Sequence, residues 1–329
     1  MSDAPLLSAL GLTKFFKVGG REGGLLHAVD HVDLSIGRGE SIGLVGESGC
    51  GKSTLARVLA HLTPPSAGQL RFEGVDIGQI PERRFASRPE RARIQMVFQD
   101  PTESLNPHLT VEGAILDPIR RLLPGMSAAN AAARVDEVLD LVGLPLAFKP
   151  RYPHQLSGGQ RARVGIARAI AVEPALLILD EPTSALDVSV QAVILKLLAD
   201  LRTRLGMSYL FVSHDLNVVR LLCQRVVVMY LGKVIESGPV ERIFAHPRHP
   251  YTRALLAAVP DPARRDTRPP RLAGSPSSPV NPDPRVCRFY GRCPIGTERC
   301  AEDMPNLRPI GAEHLVACHY AEQQKGLAA

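Results

Sequence analysis

Apolar residues along this chain follow two rhythms. Short runs at Ser41–Val45, Ile94–Phe98, Leu176–Leu179 and Tyr209–Ser213 are apolar almost throughout. That is the pattern of strands covered on both faces in a parallel sheet. The run Leu176–Leu179 ends in Asp180-Glu181-Pro182, and carboxylates at the C-terminal end of such a strand are expected to face a ligand crevice. The second rhythm is one-sided. Val135, Val138, Leu139 and Val142 recur at the spacing of an amphipathic helix, which Ser127 is placed to cap and Gly143 to end. Further helices are expected over 53–62 and from about Gln160, and Leu231-Gly232 reads as a turn. The alternation of buried strands and helices predicts an α/β fold.

Candidate chemistry begins where the first strand ends. Gly46-Glu47-Ser48-Gly49-Cys50-Gly51-Lys52-Ser53, with Thr54 next, has the G-x4-G-K-S spacing between a strand and a helix. Glycines let successive N–H groups turn toward one anion, and the helix N-terminus adds partial positive charge. Lys52 is then placed to reach outer phosphates and Ser53 to ligate magnesium. Ser157-Gly158-Gly159-Gln160 repeats the logic, with a serine and two glycines offering backbone N–H groups ahead of a helix.

With Leu156 in front, the second stretch reads LSGGQ. Together with the loop at Gly46 to Ser53, Gln99, Asp180-Glu181 and His214, it resembles the ATP-binding cassette (ABC) family. The resemblance implies an α/β P-loop NTPase, an ABC nucleotide-binding domain with a helical subdomain over about 100–170, acting as an ATPase. It implies that Asp180, Ser53 and Gln99 hold magnesium, that Glu181 polarises the attacking water, and that His214 contacts the γ-phosphate. Phe16 aligns with the aromatic residue that stacks on adenine, with Phe15 as the competing choice. In the family the LSGGQ residues meet the γ-phosphate bound by the opposite subunit, so two chains facing head to tail enclose two ATP molecules. Ser184-Ala185-Leu186-Asp187 resembles the loop through which the two sites sense each other. With Glu181, His214 and LSGGQ all intact, no degenerate half-site is expected from this chain.

Composition narrows the class. A chain of 329 residues, 45% apolar, can bury one large domain plus an appendage. No run approaches the roughly 18 apolar residues of a membrane-spanning helix, and the N-terminus lacks a signal-peptide core. A soluble, cytoplasmic chain is expected, and the family resemblance implies a peripheral place on the cytoplasmic side of the membrane. The formal charge of +6 is modest. The densest basic cluster, Arg83, Arg84, Arg88, Arg91 and Arg93 with Phe85 among them, reads as a solvated face and not as a nucleic-acid contact.

The last third carries a finer resemblance. His249-Pro250-Tyr251-Thr252-Arg253-Ala254-Leu255-Leu256 and a Pro- and Arg-rich linker look like the extension of oligopeptide and dipeptide importer ATPases. GESGCGKSTLAR from Gly46, IQMVFQDP from Ile94 and MYLGKVIE from Met229 point the same way, to the second ATPase subunit of such importers. The match departs mainly at the Gly-rich stretch around Gly19 to Gly24. It implies an ATPase domain over 1–258, a linker over 259–285 and a small C-terminal cysteine-containing extension over 286–329. Implied partners are two transmembrane permease subunits, a sister ATPase and an extracytoplasmic solute-binding protein. The implied function is peptide import driven by ATP hydrolysis, with nickel, glutathione or another small solute as alternative cargo. A non-transport role in DNA repair or translation is disfavoured, because no long coiled-coil insertion fits between the two phosphate-binding motifs. Cys287, Cys293, Cys300 and Cys318 form C-x5-C-x6-C-x17-C in the extension. In a reducing compartment, four clustered cysteines read as metal ligands before disulfides. Four-cysteine ligation suits zinc or an iron–sulfur cluster. Some importers of this type carry a [4Fe–4S] cluster at a similar pattern, so the cluster is the first choice, with zinc or free thiols as alternatives and a redox-sensing role also open.

Overall fold

The runs that read as buried strands are strands, and the reason lies in what covers them. The computed structural model describes residues 4–19, 23–100, 104–259, 274 and 277–324. The rest of the 259–285 linker, residues 20–22 of the Gly-rich stretch and residues 101–103 after Gln99 lie outside the described residues. In chain order the strands are β1 (Leu7–Val18), β2 (Gly24–Ile36), β3 (Ser41–Val45), β4 (Ala67–Phe72), β5 (Val75–Asp76), β6 (Ile94–Val97), β7 (Leu176–Asp180), β8 (Ser208–Val212), β9 (Arg225–Tyr230), β10 (Lys233–Pro239), β11 (Arg308–Gly311) and β12 (His314–Val316). They form a four-stranded sheet, β2-β1-β4-β5, and an eight-stranded sheet, β11-β12-β10-β9-β3-β8-β7-β6. Neighbours from β9 through β6 are parallel. The first sheet is antiparallel throughout.

Each parallel strand feeds two cores. Leu177, Leu179, Tyr209, Phe211, Val226 and Val228 face one side, packed under the helical region. Leu176, Ile178, Leu210, Val212, Val227 and Met229 face the other, against the helix Lys52–Leu59 and the antiparallel sheet. Alternate residues point to opposite faces of a sheet, so burial of both faces demands apolar residues at every position.

The helix expected over 53–62 spans Lys52–Leu59. It stops early because His61 takes a left-handed φ of +53°, with N–H groups of Leu62 and His61 returning to the carbonyls of Arg57 and Val58. This is a Schellman closure made without glycine. In the helical region Ser127 caps Ala128–Leu141 by accepting the Asn130 N–H, and Gly143 follows at φ +65°. The helix expected from about Gln160 starts at Gly158, since Ser157 is its cap. Leu231 and Gly232, both at positive φ, make the tight turn between β9 and β10.

In the basic cluster, Phe85 is buried edge-on to His61, Arg88 pairs with Glu90, and Arg93 pairs with Glu73. No helix among the described residues is long and apolar enough to cross a membrane.

The C-terminal extension is built into the cassette. Strand β12 pairs antiparallel with β10, and β11 with β12, so the extension lengthens the main sheet. Beneath that junction the buried carboxylate of Glu236 receives the N–H groups of Arg248 and His249, at 2.7 and 3.0 Å, and lies 2.8 Å from His314 Nε2. Within the second half of the linker the chain runs beside β2: His27 donates its N–H to Pro279 O at 2.9 Å, and Leu25 to Asn281 Oδ1 at 2.8 Å.

Candidate functional site

The loop after β3 has a backbone that only glycine tolerates at two points. At Gly51, φ +107°, a Cβ would come within 2.0 Å of the Ala28 carbonyl oxygen. At Gly46, φ +154°, it would meet Met229 O at 2.3 Å. The loop is thus pressed between β2 and β9 and leads into the helix at Lys52. Lys52 is only 5% exposed, and its Nζ donates to the carbonyls of Gly46 (2.8 Å) and Glu47 (3.0 Å). Ser53 Oγ donates to Asp180 Oδ1 at 3.0 Å. Burial pushes the Asp180 carboxyl up from its ordinary value, against the lowering effect of Ser53, Arg57 and Lys52.

Glu181 follows Asp180 at φ +45°, a left-handed conformation unusual for a side chain of this size. The Glu181 N–H is tied to Val212 O of β8 at 3.0 Å. Its Oε2 lies 3.2 Å from His214 Nδ1 and 3.4 Å from Gln99 Nε2. Two residues that follow β6 and β8 therefore converge on one carboxylate oxygen of the residue that follows β7. His214 keeps 63% of its side chain exposed, open toward the cleft.

The cleft has a volume of about 470 Å³. Its walls include Phe16, Ser48, Gly49, Cys50, Gly51, Lys52, Ser53, Thr54, Gln99, Glu181 and His214. Gly46, Glu47 and Asp180 are not among its lining residues. Phe16 is 39% exposed and faces the cleft, whereas Phe15 packs on His27 with ring centroids 4.1 Å apart. Ser157, Gly158, Gly159 and Gln160 are not in this wall. Ser157 Oγ accepts the Gln160 N–H at 3.3 Å while Gln160 Oε1 accepts the Ser157 N–H at 2.9 Å, a capping box that holds Ser157 and Gly158 at the surface. Asp187 likewise caps Val188–Leu205 through the Val190 N–H.

A family profile described as "ABC transporter" matches residues 29–184, and one described as "Oligopeptide/dipeptide transporter, C-terminal region" matches residues 235–300. A protein of Brucella ovis named as a peptide import ATP-binding protein is 44% identical over 321 residues, covering 97% of this chain and 98% of its own length. The chain belongs to the ABC transporter ATPases. A Sinorhizobium fredii protein named as a peptide ABC transporter ATP-binding protein, y4tS, is 46% identical over 97% of this chain and 90% of its own. Among solved structures, the dimeric post-hydrolysis state of the ATP-binding cassette MJ0796 bound to ADP and Pi matches with TM-score 0.64 and 31% identity. That likeness covers 71% of this chain and 98% of MJ0796. CbiO1 of Clostridium perfringens, part of the complex cbiONQ, matches with TM-score 0.62 and 31% identity over 74% of this chain and 91% of its own. The fold is that of an ABC cassette, and the protein is an ATPase.

The extension of this ABC ATPase gathers its four cysteines. Cys287, Cys293, Cys300 and Cys318 line one small cavity with Phe289 and Ile295. Backbone N–H groups of Phe289, Ile295 and Tyr320 point at the sulfurs of Cys287, Cys293 and Cys318, two residues earlier in each case. Such N–H···S contacts suit a thiolate that ligates metal. Burial, reinforced by the neighbouring sulfurs, pushes the Cys287 and Cys318 thiols up to about 11. Among the described residues, no group of three or more His, Cys, Asp or Glu stands in metal-holding geometry. The geometry of the described residues therefore gives no support of its own to the expected [4Fe–4S] or zinc centre.

Sequence reading missed the residues by which the linker and the extension reach the nucleotide cleft and its phosphate loop. Pro279, in the linker, lines the cleft. Arg288 reaches the buried Asp30 at 2.6 Å, and Arg292 reaches Glu47 at 2.8 and 3.0 Å. Burial raises the Asp30 carboxyl, but hydrogen bonds from His31 and Arg288 and the charge of Lys233 outweigh it and hold it well below the usual carboxylate range. Nothing local marks these pairs, whose members lie far apart in the chain. Tyr251 falls within the importer-like HPYTRALL run, but the run does not say that its hydroxyl meets the phosphate loop.

Proposed function

We propose that this ABC ATPase powers the import of dipeptides or oligopeptides, working on the cytoplasmic side of the membrane beneath two permease subunits. The match of residues 235–300 to the oligopeptide/dipeptide transporter C-terminal region carries the reading. ATP lies along the cleft with adenine on Phe16 and its phosphates over Gly46 to Thr54. Lys52 exchanges the Gly46 and Glu47 carbonyls for phosphate oxygens. Magnesium, for which Ser53, Gln99 and Asp180 offer the hard oxygen donors it prefers, supplies charge neutralisation to the phosphates. Glu181 accepts a hydrogen bond from the attacking water, and His214 and Gln99 hold that carboxylate in register. Phosphoryl transfer asks for positioning and charge complementarity more than covalent help, which suits this set. Ser157 to Gln160, which do not line the chain's own cleft and of which Ser157 and Gly158 are exposed, close on the γ-phosphate bound by a sister ATPase. The division into 1–258, 259–285 and 286–329 gives the motor, its linker and an extension that joins the motor's sheet. In the extension, Cys287, Cys293, Cys300 and Cys318 would ligate a [4Fe–4S] cluster. Iron and acid-labile sulfide measured on protein purified without oxygen decide this: about four of each per chain are expected, and zinc alone or neither element excludes the cluster.

Affinity capture of the Glu181→Gln chain from native membranes with ATP tests the whole reading. Two integral membrane proteins, a second ABC ATPase and a peptide-type solute-binding protein are expected among the captured species. A binding protein for nickel or another solute would reassign the cargo. Ribosomal or DNA-repair proteins without any membrane subunit would leave only the ATPase standing.

A further inference from the structure

Every polar group of Glu47 is engaged, and each to a different part of the molecule. Its carboxylate receives Nη1 and Nη2 of Arg292 at 2.8 and 3.0 Å, a two-pronged pair from the C-terminal extension. Its N–H donates to Tyr251 Oη at 2.7 Å, and its carbonyl accepts from Lys52 Nζ at 3.0 Å. The peptide units flanking Glu47 therefore lie between the extension on one side and the phosphate-loop lysine on the other.

This is not a solvated surface pair of little worth. Arg292 is 8% exposed, and its Nη1 also donates to Tyr230 Oη at 3.2 Å. Below it, Tyr230, Tyr251 and Phe289 are buried together with ring centroids 4.6 to 5.5 Å apart. These rings come from β9, from the helix Pro250–Ala257 and from the extension, so three segments distant in sequence make one floor. A paired arginine–carboxylate fork fixes orientation as well as distance. Its loss leaves a half-buried carboxylate without partner at the mouth of an anion site. Pro279, from the linker that precedes the extension, lines the cleft as well.

We propose that Arg292 is a positioning residue for the phosphate loop: by clamping Glu47 it orients the carbonyl that holds Lys52, so the C-terminal extension completes a nucleotide site 245 positions away in the chain. The inference rests on the reading of Gly46 to Thr54 as the phosphate loop. It makes the extension part of this chain's ATP site, independent of what the cysteines hold.

The test uses the full-length chain, equilibrium titration with a non-hydrolysable ATP analogue and magnesium, and thermal melting of each variant. Arg292→Ala and Glu47→Gln are each expected to weaken binding about tenfold, since each acts on the nucleotide only through the Glu47 carbonyl and Lys52. The double variant should lose no more than either single one, because both remove the same contact. Arg292→Lys, which keeps the charge but not the fork, should fall between. Arg308→Ala, which breaks the extension's pair with Glu322, serves as a control expected to bind within about twofold of the parent. If Arg292→Ala and Glu47→Gln bind normally while melting earlier, the contact is only structural and the inference is overturned. Additive losses in the double variant overturn it equally. Unchanged binding by Lys52→Ala would instead sink the phosphate-loop reading beneath it, which separates the two failures.

Discussion

His249 caps the helix Pro250–Ala257 from a site only 2% exposed, its Nδ1 accepting the Tyr251 N–H at 3.1 Å and its own N–H donating to Glu236. Nδ1 acts as acceptor there, so the ring is neutral with its proton on Nε2. Burial pushes its pKa down to about 4, against the opposing charge of Glu236. The unfolded chain, with an ordinary histidine near pH 6.5, binds a proton across this window that the folded chain refuses. Stability from this residue is therefore full above about pH 6.5 and falls as pH drops toward 4, by about 3 kcal/mol in all. Denaturant midpoints measured from pH 7 to 4 should show that fall, and His249→Asn, which keeps a capping acceptor without titrating, should flatten it. A parental slope in the variant would assign the pH dependence to other groups. At this scale some residues were legible and others were not. Gln99, Glu181 and His214 each follow an apolar run, so the sequence marks them by position. Arg292 carries no such mark among 32 arginines, because its meaning depends on Glu47 across the fold.

Elements follow local rules closely, and their ends do not. Strand positions were readable because burial on both faces leaves no polar residue within Leu176–Leu179. Helix ends shifted by one to three residues where a cap or a left-handed residue intervened, as at Ser157 and His61. The same local logic puts Ser157 at the surface: the capping box with Gln160 satisfies the first orphan N–H groups and presents the rest outward. What no local pattern shows is that β12 pairs with β10. The run Arg308–Val316 is short and mixed in polarity, and its strands exist because the edge of the main sheet and buried Glu236 receive them.

For the whole molecule, the proposed head-to-tail pairing makes hydrolysis a property of two chains, since Ser157 to Gln160 do not line the chain's own cleft. In the assembled transporter, Ser157→Arg should lower ATP hydrolysis roughly a hundredfold, as removal of an anion-stabilising donor does. Labelling of this chain's own cleft by a photoreactive ATP analogue should be unchanged. Loss of that labelling would place the signature residues at the chain's own nucleotide and refute the head-to-tail arrangement. The extension has the opposite relation to the site, since it reaches the phosphate loop of its own chain.

By itself, the sequence determined the parallel-sheet core, the glycine-rich loop at Gly46 to Ser53, the acidic strand end and the helix start at Ser157. Each is set by hydrophobic period or backbone chemistry within about ten consecutive residues. Only the tertiary structure decided that Gln99, Glu181 and His214 share one oxygen, that Phe16 and not Phe15 faces the cleft, and that Arg292 and Tyr251 hold Glu47. Those are contacts between distant segments, chosen by how sheets and helices pack, and neither partner changes the local pattern around it.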